Sequence, residues 1–499
     1  MKKLGKILLW TIAITIPLFG VWVASSCAAY RNLPRAVAIA SGLLLFPLLP
    51  LMWEAWSRTR AKAPRFGLGM RLVIRTLIIS VAFLALVIGF FARDVFAALA
   101  TRGDWMLDRS QGRWADATRG MLHHTADGLS WAYEAARDNP FAKYAEKKKP
   151  PPPPRPEPSI STPHDAGVEA RDAGVLDASS PPPPVVAEAE TPKGRIPSWP
   201  MAPKLHPAVV ALTADKETSI DAVAHALADA EPDPFLRVKA LHDWVADRLS
   251  YDVAALRAKE MPSQEAAEVF KRRTAVCAGY SSLLAALGHA IGEQIVVVSG
   301  DARQPGQEID GRGHAWNAVK IDERWYLIDA TWDGGGGNGD TWTKSYSTDY
   351  FLTPPEIFIA RHFPSSADWQ LIDPPLSRGD FLRRPILSAE FYALGLELLS
   401  PKRSQIDANG SAVIELANPK NQSILAEYEP LGFDSMSGGS LGAERKLDSR
   451  KCEVKDSFSK TRVECAMPLA GRYRVALFAS VERYGAHPYV GEIEVNNRN

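Results

Sequence analysis

The reading of this chain turns on Thr274-Ala275-Val276-Cys277-Ala278-Gly279-Tyr280, followed downstream by His314-Ala315-Trp316-Asn317-Ala318-Val319 and Trp325-Tyr326-Leu327-Ile328-Asp329. Cys277 stands just before the apolar run Leu283-Leu284-Ala285-Ala286-Leu287, which places its sulfur in the first turn of a buried helix. Unpaired N–H groups and the helix dipole at such a position favour a thiolate, the reactive form of cysteine. Gly279 would let another chain segment approach closely. Alone, a cysteine before an apolar helix reads as a packed core thiol, and the two segments downstream change that.

The His314 segment alternates as a strand and the Trp325 segment makes a second, with Asp322-Glu323-Arg324 near the turn. A two-residue turn at 322–323 pairs His314 with Thr331 and Trp316 with Asp329. In that register His314 and Asp329 are diagonal neighbours on one face, about 7 Å apart between backbones. A three-residue turn would put them on opposite faces and separate them. Brought together, the three residue types suit nucleophilic acyl transfer. The thiol attacks an acyl carbon, His314 takes its proton and later protonates the leaving amine, and Asp329 holds the imidazole tautomer and steadies the imidazolium. An oxyanion donor is also needed. The backbone N–H of Cys277 is one candidate, and Tyr251, in Leu249-Ser250-Tyr251-Asp252, is a weaker second.

The contexts V-C-A-G-Y around Cys277, H-A-W-N-A-V from His314 and W-Y-L-I-D-A-T-W ending at Trp332 resemble the transglutaminase-like superfamily of papain-like folds. The continuation through Tyr350-Phe351-Leu352, Pro354, Pro355, His362-Phe363-Pro364 and Trp369-Gln370-Leu371 is similar to its kyphoscoliosis-peptidase branch. The resemblance covers roughly 235–375 well and 376–499 loosely. It implies an α+β cysteine-enzyme domain with Cys277 as nucleophile, His314 as base and Asp329 as orienter. Gly279, Trp316, Asn317 and Trp332 are expected to support the site. That family includes proteases, cross-linking enzymes, amidases and members that have lost activity.

Working outward, the 499 residues are too many for one ordinary core. Lys plus Arg number 58 against 57 Asp plus Glu, a net charge of +1 that offers no electrostatic footprint for nucleic acid. Three apolar stretches, about Ile7–Ser26, Ala36–Trp53 and Leu72–Ala92, each approach the roughly 20 residues that cross a hydrocarbon core as a helix. Arg75 lies at the edge of the third, where it could snorkel. Lys2, Lys3 and Lys6 precede the first stretch, and Arg58, Arg60, Lys62, Arg65 and Arg71 crowd the second loop, against Arg31 and Arg35 in the first. The positive-inside rule then puts the N-terminus in the cytoplasm and everything after Ala92 outside. The rival is a signal peptide with a poor lipoprotein site at Ala24-Ser25-Ser26-Cys27.

These features predict a transmembrane region at 1–93 and a helical juxtamembrane segment at 94–145. A Pro-rich spacer follows at 146–204, then the cysteine-enzyme domain at 205–375 and a β-sandwich (Ig-like) domain at 376–499. Helices are expected over 219–230 and 234–249, the second capped by Asp233 with Pro234 at its first position. Strands are expected at Gln294–Ser299, His314–Ile321 and Trp325–Thr331. Cys452 and Cys465 flank a turn-like segment and would pair as a disulfide if it is a hairpin outside the membrane; otherwise they are two buried thiols.

Several signals are set aside. The glycine run 334–339 formally fits G-x-G-x-x-G, but no helix opens after it. Asp333, Asn338 and Asp340 lack EF-hand spacing. His289 reads as structural, His362 as a packing residue with support of the site as the alternative, and Asn409 and Asn421 as chance sequons. No metal and no cofactor is expected. The expected partners are a protein or peptide substrate and the membrane. The alternative to an enzyme is a membrane-tethered binding or scaffold protein with a vestigial catalytic domain.

Overall fold

The computed structural model describes residues 2–498 apart from 32, 59–65, 109, 111, 136–138, 146–196, 259, 305–308, 310, 338–340 and 432–448. The proline-rich stretch of the expected spacer lies outside the described residues.

Three N-terminal helical stretches, Trp10–Tyr30, Arg35–Ser57 and Leu68–Leu107, are long and apolar enough to cross a membrane. Large apolar side chains such as Ile14, Leu18 and Phe90 stand exposed along them, as in helices solvated by lipid. Arg75 bonds to the buried Glu54 and to Ser57 Oγ on the neighbouring helix, so its charge is paired within the helical bundle. The helix Leu68–Arg102 departs from helical geometry at Phe91 and continues through residue 93. Its last turns are buried: Phe96, Ala97 and Ala100 pack with Ile359, Phe363, Phe381 and Leu382. Arg102 pairs with Asp407 at 3.0 Å and Arg403 with Asp104 at 2.8 Å, so the helix end is bonded to the C-terminal region.

The site is built on a five-stranded antiparallel sheet. Its order is Phe351–Thr353, Arg324–Ile328, Arg312–Ile321, Gln294–Ala302, His362–Pro364. The helix Cys277–Ala290 packs on the two long central strands, and Pro234–Arg248 packs against it. Asp233 caps the latter helix, accepting from the N–H groups of Phe235 and Leu236. Trp244, Leu241, Leu284, Leu287, Val319 and Ile328 form the core between helices and sheet.

From Ile386 onward the chain forms two packed sheets. One contains Tyr489–Asn497, Gly471–Ser480 and Ser423–Pro430, the other Glu397–Ser400, Ser411–Ala417, Lys460–Ala466 and Glu453–Ser457. Inward residues alternate along each strand, with Ile414, Leu416, Val463, Val475, Leu477 and Ile493 fully or nearly fully buried. Cys452 and Cys465 form a disulfide. They extend the register of the last two strands of the second sheet, in which Glu453 faces Glu464 and Val454 faces Val463.

Candidate active site

Cys277 opens its helix and is 1% exposed. The helix has no side-chain cap of its own at Val276. Gln264 serves instead: its Oε1 accepts from the Val276 N–H at 3.0 Å, and its Nε2 donates to Pro262 O at 2.9 Å. A Cβ on Gly279 would lie 2.5 Å from that Oε1 and 2.5 Å from the Ala275 Cβ, so glycine is required by close approach. Ser250–Tyr251 pairs in parallel with Thr274–Ala275, which carries Tyr251 alongside the entrance to the helix. Its phenol oxygen faces the Cys277 backbone N–H; burial, and then the negative charge of Cys277 and Asp329, push it well above its usual range.

The hairpin has the two-residue register. Lys320 faces Trp325, Val319 faces Tyr326 and Asn317 faces Ile328, while Asp322 and Glu323 take left-handed φ values of 47° and 62°. Such a turn follows the right-handed twist of the strands it joins. The second strand, expected to reach Thr331, ends at Ile328. Asp329 leaves the ladder because its short carboxylate caps a helix: Oδ1 accepts from the N–H groups of Thr331 (2.9 Å) and Trp332 (3.2 Å). The other oxygen is thereby left for His314, whose Nε2 lies 2.7 Å from Oδ2.

Successive residues of the His314 strand point to opposite faces. Ala315, Asn317 and Val319 meet the Cys277 helix, with Ala315 in the same apolar cluster as Cys277. Asn317 Nδ2 donates to Ser281 O (2.9 Å) and Val296 O (3.2 Å), tying helix to sheet, and Ser281 Oγ donates to Cys277 O at 2.9 Å. His314 and Trp316 point the other way. His314 is nevertheless close enough to Cys277 for the sulfur to act on its proton affinity. Burial alone would lower the His314 pKa, but the Asp329 carboxylate and Cys277 push it up to about 10. Burial alone would likewise raise Asp329, which the two histidines hold well below the usual carboxylate range.

The second histidine is His362, read from the sequence as a packing residue. Its edge strand pairs with Gln294–Ala302, and its Nε2 lies 3.0 Å from the same Asp329 Oδ2. Burial first, then the positive charges of His314 and Arg361, depress its pKa to about 4 against the opposing pull of Asp329. It is therefore a neutral donor, with Nδ1 buried and unbonded. Trp332 covers both imidazoles, with ring centroids 4.3 Å from His362 and 5.4 Å from His314, and the Arg361 guanidinium lies 4.3 Å above it. Trp316 packs edge-on against His362 at 5.2 Å. One donor atom from each of His314, Asp329 and His362 lies within 4.8 Å of the others, a spacing a metal could use. The hydrogen bonds to Oδ2 account for it without one. No sequence signal pointed to Gln264 or to the hydrogen bond of His362.

Residues 221–330 match the model of the transglutaminase-like superfamily, and residues 378–495 match that of the KY-like, immunoglobulin-like domain. The chain carries a transglutaminase-like domain followed by a KY-like immunoglobulin-like domain. Kyphoscoliosis peptidase of Mus musculus is 36% identical over 190 residues, and that of Homo sapiens 35%. Each match covers 36% of this chain and 28% of the relative, so the likeness spans well under two thirds of those proteins. A solved structure titled as that of a TGase is 26% identical over 29% of this chain and 39% of its own, with a TM-score of 0.20. Cys277 itself falls within the stretch matched by the transglutaminase-like model, as do His314 and Asp329. His362 falls in neither matched stretch.

Proposed function

We propose that this protein is a membrane-anchored cysteine enzyme that attacks peptide or glutamine-type amide bonds through Cys277. The reading rests on His314, bonded to Asp329 at 2.7 Å and beside Cys277, with its proton affinity raised by both. An imidazolium beside the sulfur stabilises the attacking thiolate. In the first half-reaction the sulfur bonds to the acyl carbon, the C–N bond breaks, and the leaving amine takes the His314 proton. The resulting thioester is then attacked at its acyl carbon by water or by a second amine, whose proton passes to His314, and the C–S bond breaks to release the Cys277 thiolate beside the imidazolium. Water gives hydrolysis and an amine gives cross-linking. Asp329 keeps the imidazolium oriented throughout. The Cys277 backbone N–H and the Tyr251 hydroxyl are the proposed oxyanion donors.

We place the N-terminus in the cytoplasm and the residues after the third span outside, from the charge bias of the loops. The Cys452–Cys465 disulfide supports an oxidising compartment. The proposed division remains 1–93, 94–145, 146–204, 205–375 and 376–499.

The test is labelling of the full-length protein by a thiol-directed electrophile, read at Cys277. Modification whose rate falls when His314 is replaced by alanine supports the enzyme. Slow labelling indifferent to His314 assigns the chain instead to a tethered scaffold with a vestigial site.

A further inference from the structure

The cleft beside Cys277 is already filled by a segment that precedes the domain in sequence. Asn139 Nδ2 donates to Gly300 O at 3.0 Å, and Gly300 is the strand partner of His314. Asn139 Oδ1 accepts from the Phe141 N–H at 3.0 Å, which turns the chain inward. The contact is tight: a Cβ on Gly313 would lie 3.0 Å from Asn139 Oδ1 and 3.5 Å from Pro140 Cδ. At the other end the Tyr144 hydroxyl accepts from the Gln264 N–H at 3.4 Å, and Gln264 is the residue that caps the Cys277 helix. Between these anchors Phe141 is 3% exposed, in one apolar cluster with Val276, Cys277, Ala278, Val297 and Ala315.

A phenyl ring buried this deeply needs a matching hollow, and here the hollow adjoins the proposed nucleophile. The anchors at either end are hydrogen bonds to backbone groups of Gly300, on the strand beside that of His314, and of Gln264, whose side chain caps the Cys277 helix. A bound peptide would use the same kind of contact, since backbone carbonyl and amide groups beside a cleft recognise any chain and a pocket then selects the side chain.

We propose that this hollow is a substrate subsite for an aromatic side chain of a peptide or protein, and that Phe141 occupies it in the resting protein. The inference rests on the reading of Cys277 as nucleophile. The segment Asn139–Tyr144 is thus a built-in occupant of the cleft, and it leaves before substrate reaches the sulfur. Substrates carry Phe, Tyr or Trp near the amide that is attacked.

The test uses the full chain in detergent or nanodiscs, with iodoacetamide alkylation of Cys277 followed by peptide mass spectrometry. Phe141→Ala is expected to speed alkylation at least tenfold, and Asn139→Ala to speed it less. A synthetic peptide of residues 139–145 should restore protection to the Phe141→Ala protein, and the same peptide with alanine for phenylalanine should not. Unchanged alkylation in both folded variants, with the His314 dependence kept, overturns the occlusion and leaves the enzyme reading standing. Equal protection by both peptides overturns the aromatic preference. Fast alkylation of Phe141→Ala that ignores His314 overturns the enzyme reading and the substrate half with it, while the occlusion stands. If Phe141→Ala fails to fold, Asn139→Ala and Tyr144→Phe, which each remove one anchor, decide the occlusion.

Discussion

His314 and His362 meet on one atom: their Nε2 nitrogens lie 2.7 and 3.0 Å from the same carboxylate oxygen of Asp329. The partner oxygen is taken by the N–H groups of Thr331 and Trp332. A fully buried carboxylate is costly unless its lone pairs are used, and here four donors use them. The charge is thereby fixed in place and directed at His314. The two imidazoles share a carboxylate but differ in state, because His314 also faces Cys277 while His362 faces Arg361 and apolar rings.

Removing the His362 donor should weaken the orientation of Asp329 without touching Cys277. A hydrogen bond to a charged group is worth about 1.5–3 kcal/mol, so His362→Phe should lower kcat by about 10- to 100-fold. KM should stay near the parent value. His362→Gln, which keeps an N–H donor, should recover part of the loss. Steady-state kinetics on both variants check this, and equal losses in the two would assign His362 to packing alone.

The raised His314 pKa makes stability depend on pH. With 6.5 as the ordinary value and about 10 in the folded protein, the folded state holds a proton that the unfolded chain has released between these limits. The stabilisation is complete below pH 6.5 and disappears as pH rises toward about 10. His362 acts oppositely: depressed from 6.5 to about 4, it adds stability above pH 6.5 that is lost as pH falls through about 4. Asp329→Asn removes the charge that raises His314, so the alkaline limb should flatten. Urea unfolding from pH 4 to 10 on parent and variant measures both limbs.

Much of the site was legible because its contacts are local. The alternation from His314 to Val319, with Asp322 and Glu323 as the turn, determines which residues share a face, and a two-residue hairpin needs no distant information. The Cys277 helix was likewise marked by its apolar run. The capping role of Asp329 competed with a strand, and the extended pattern Trp325–Thr331 hid it. His362 lies 33 residues beyond Asp329, and only the pairing of its edge strand with Gln294–Ala302 brings it in. Asn139 and Phe141 are still more remote, since nothing in their own sequence states which cleft they enter. In the C-terminal sandwich the strands were legible from period-two alternation, whereas the parallel pairing of Gln405–Ala408 with Tyr489–Asn497 depends on the closed fold.

Asn317 is the joint between the Cys277 helix and the sheet. Asn317→Ala removes two buried hydrogen bonds, to the Ser281 and Val296 carbonyls. Each such bond contributes about 0.5–1.5 kcal/mol, so thermal unfolding should move to lower temperature by several degrees. Because the Cys277 carbonyl bonds to Ser281 on the same turn, the sulfur should also shift against His314. Activity should therefore fall further than stability alone explains. Comparing kcat well below the unfolding temperature with the parent separates the two effects.

The disulfide offers a control in a different core from that of Cys277. Cys452 and Cys465 are 13 residues apart and face each other across adjacent strands of the sandwich. Closing a loop of that size limits the unfolded chain and stabilises by about 3 kcal/mol. Cys465 is fully buried, so Cys465→Ser would add an unsatisfied hydroxyl to the same loss, whereas Cys452, half-buried at the edge, is the cleaner position. Cys452→Ala should lower the unfolding temperature of the sandwich and leave the rate of Cys277 labelling unchanged, because the pair belongs to the core of the second sheet and Cys277 to a cluster with Phe141 and Ala315. Calorimetry with parallel alkylation reads both quantities. A labelling rate that rises together with the loss of sandwich stability would mean instead that the immunoglobulin-like domain helps hold the cleft closed, through the contacts of Arg403 and Asp407 with the end of the third long apolar helix.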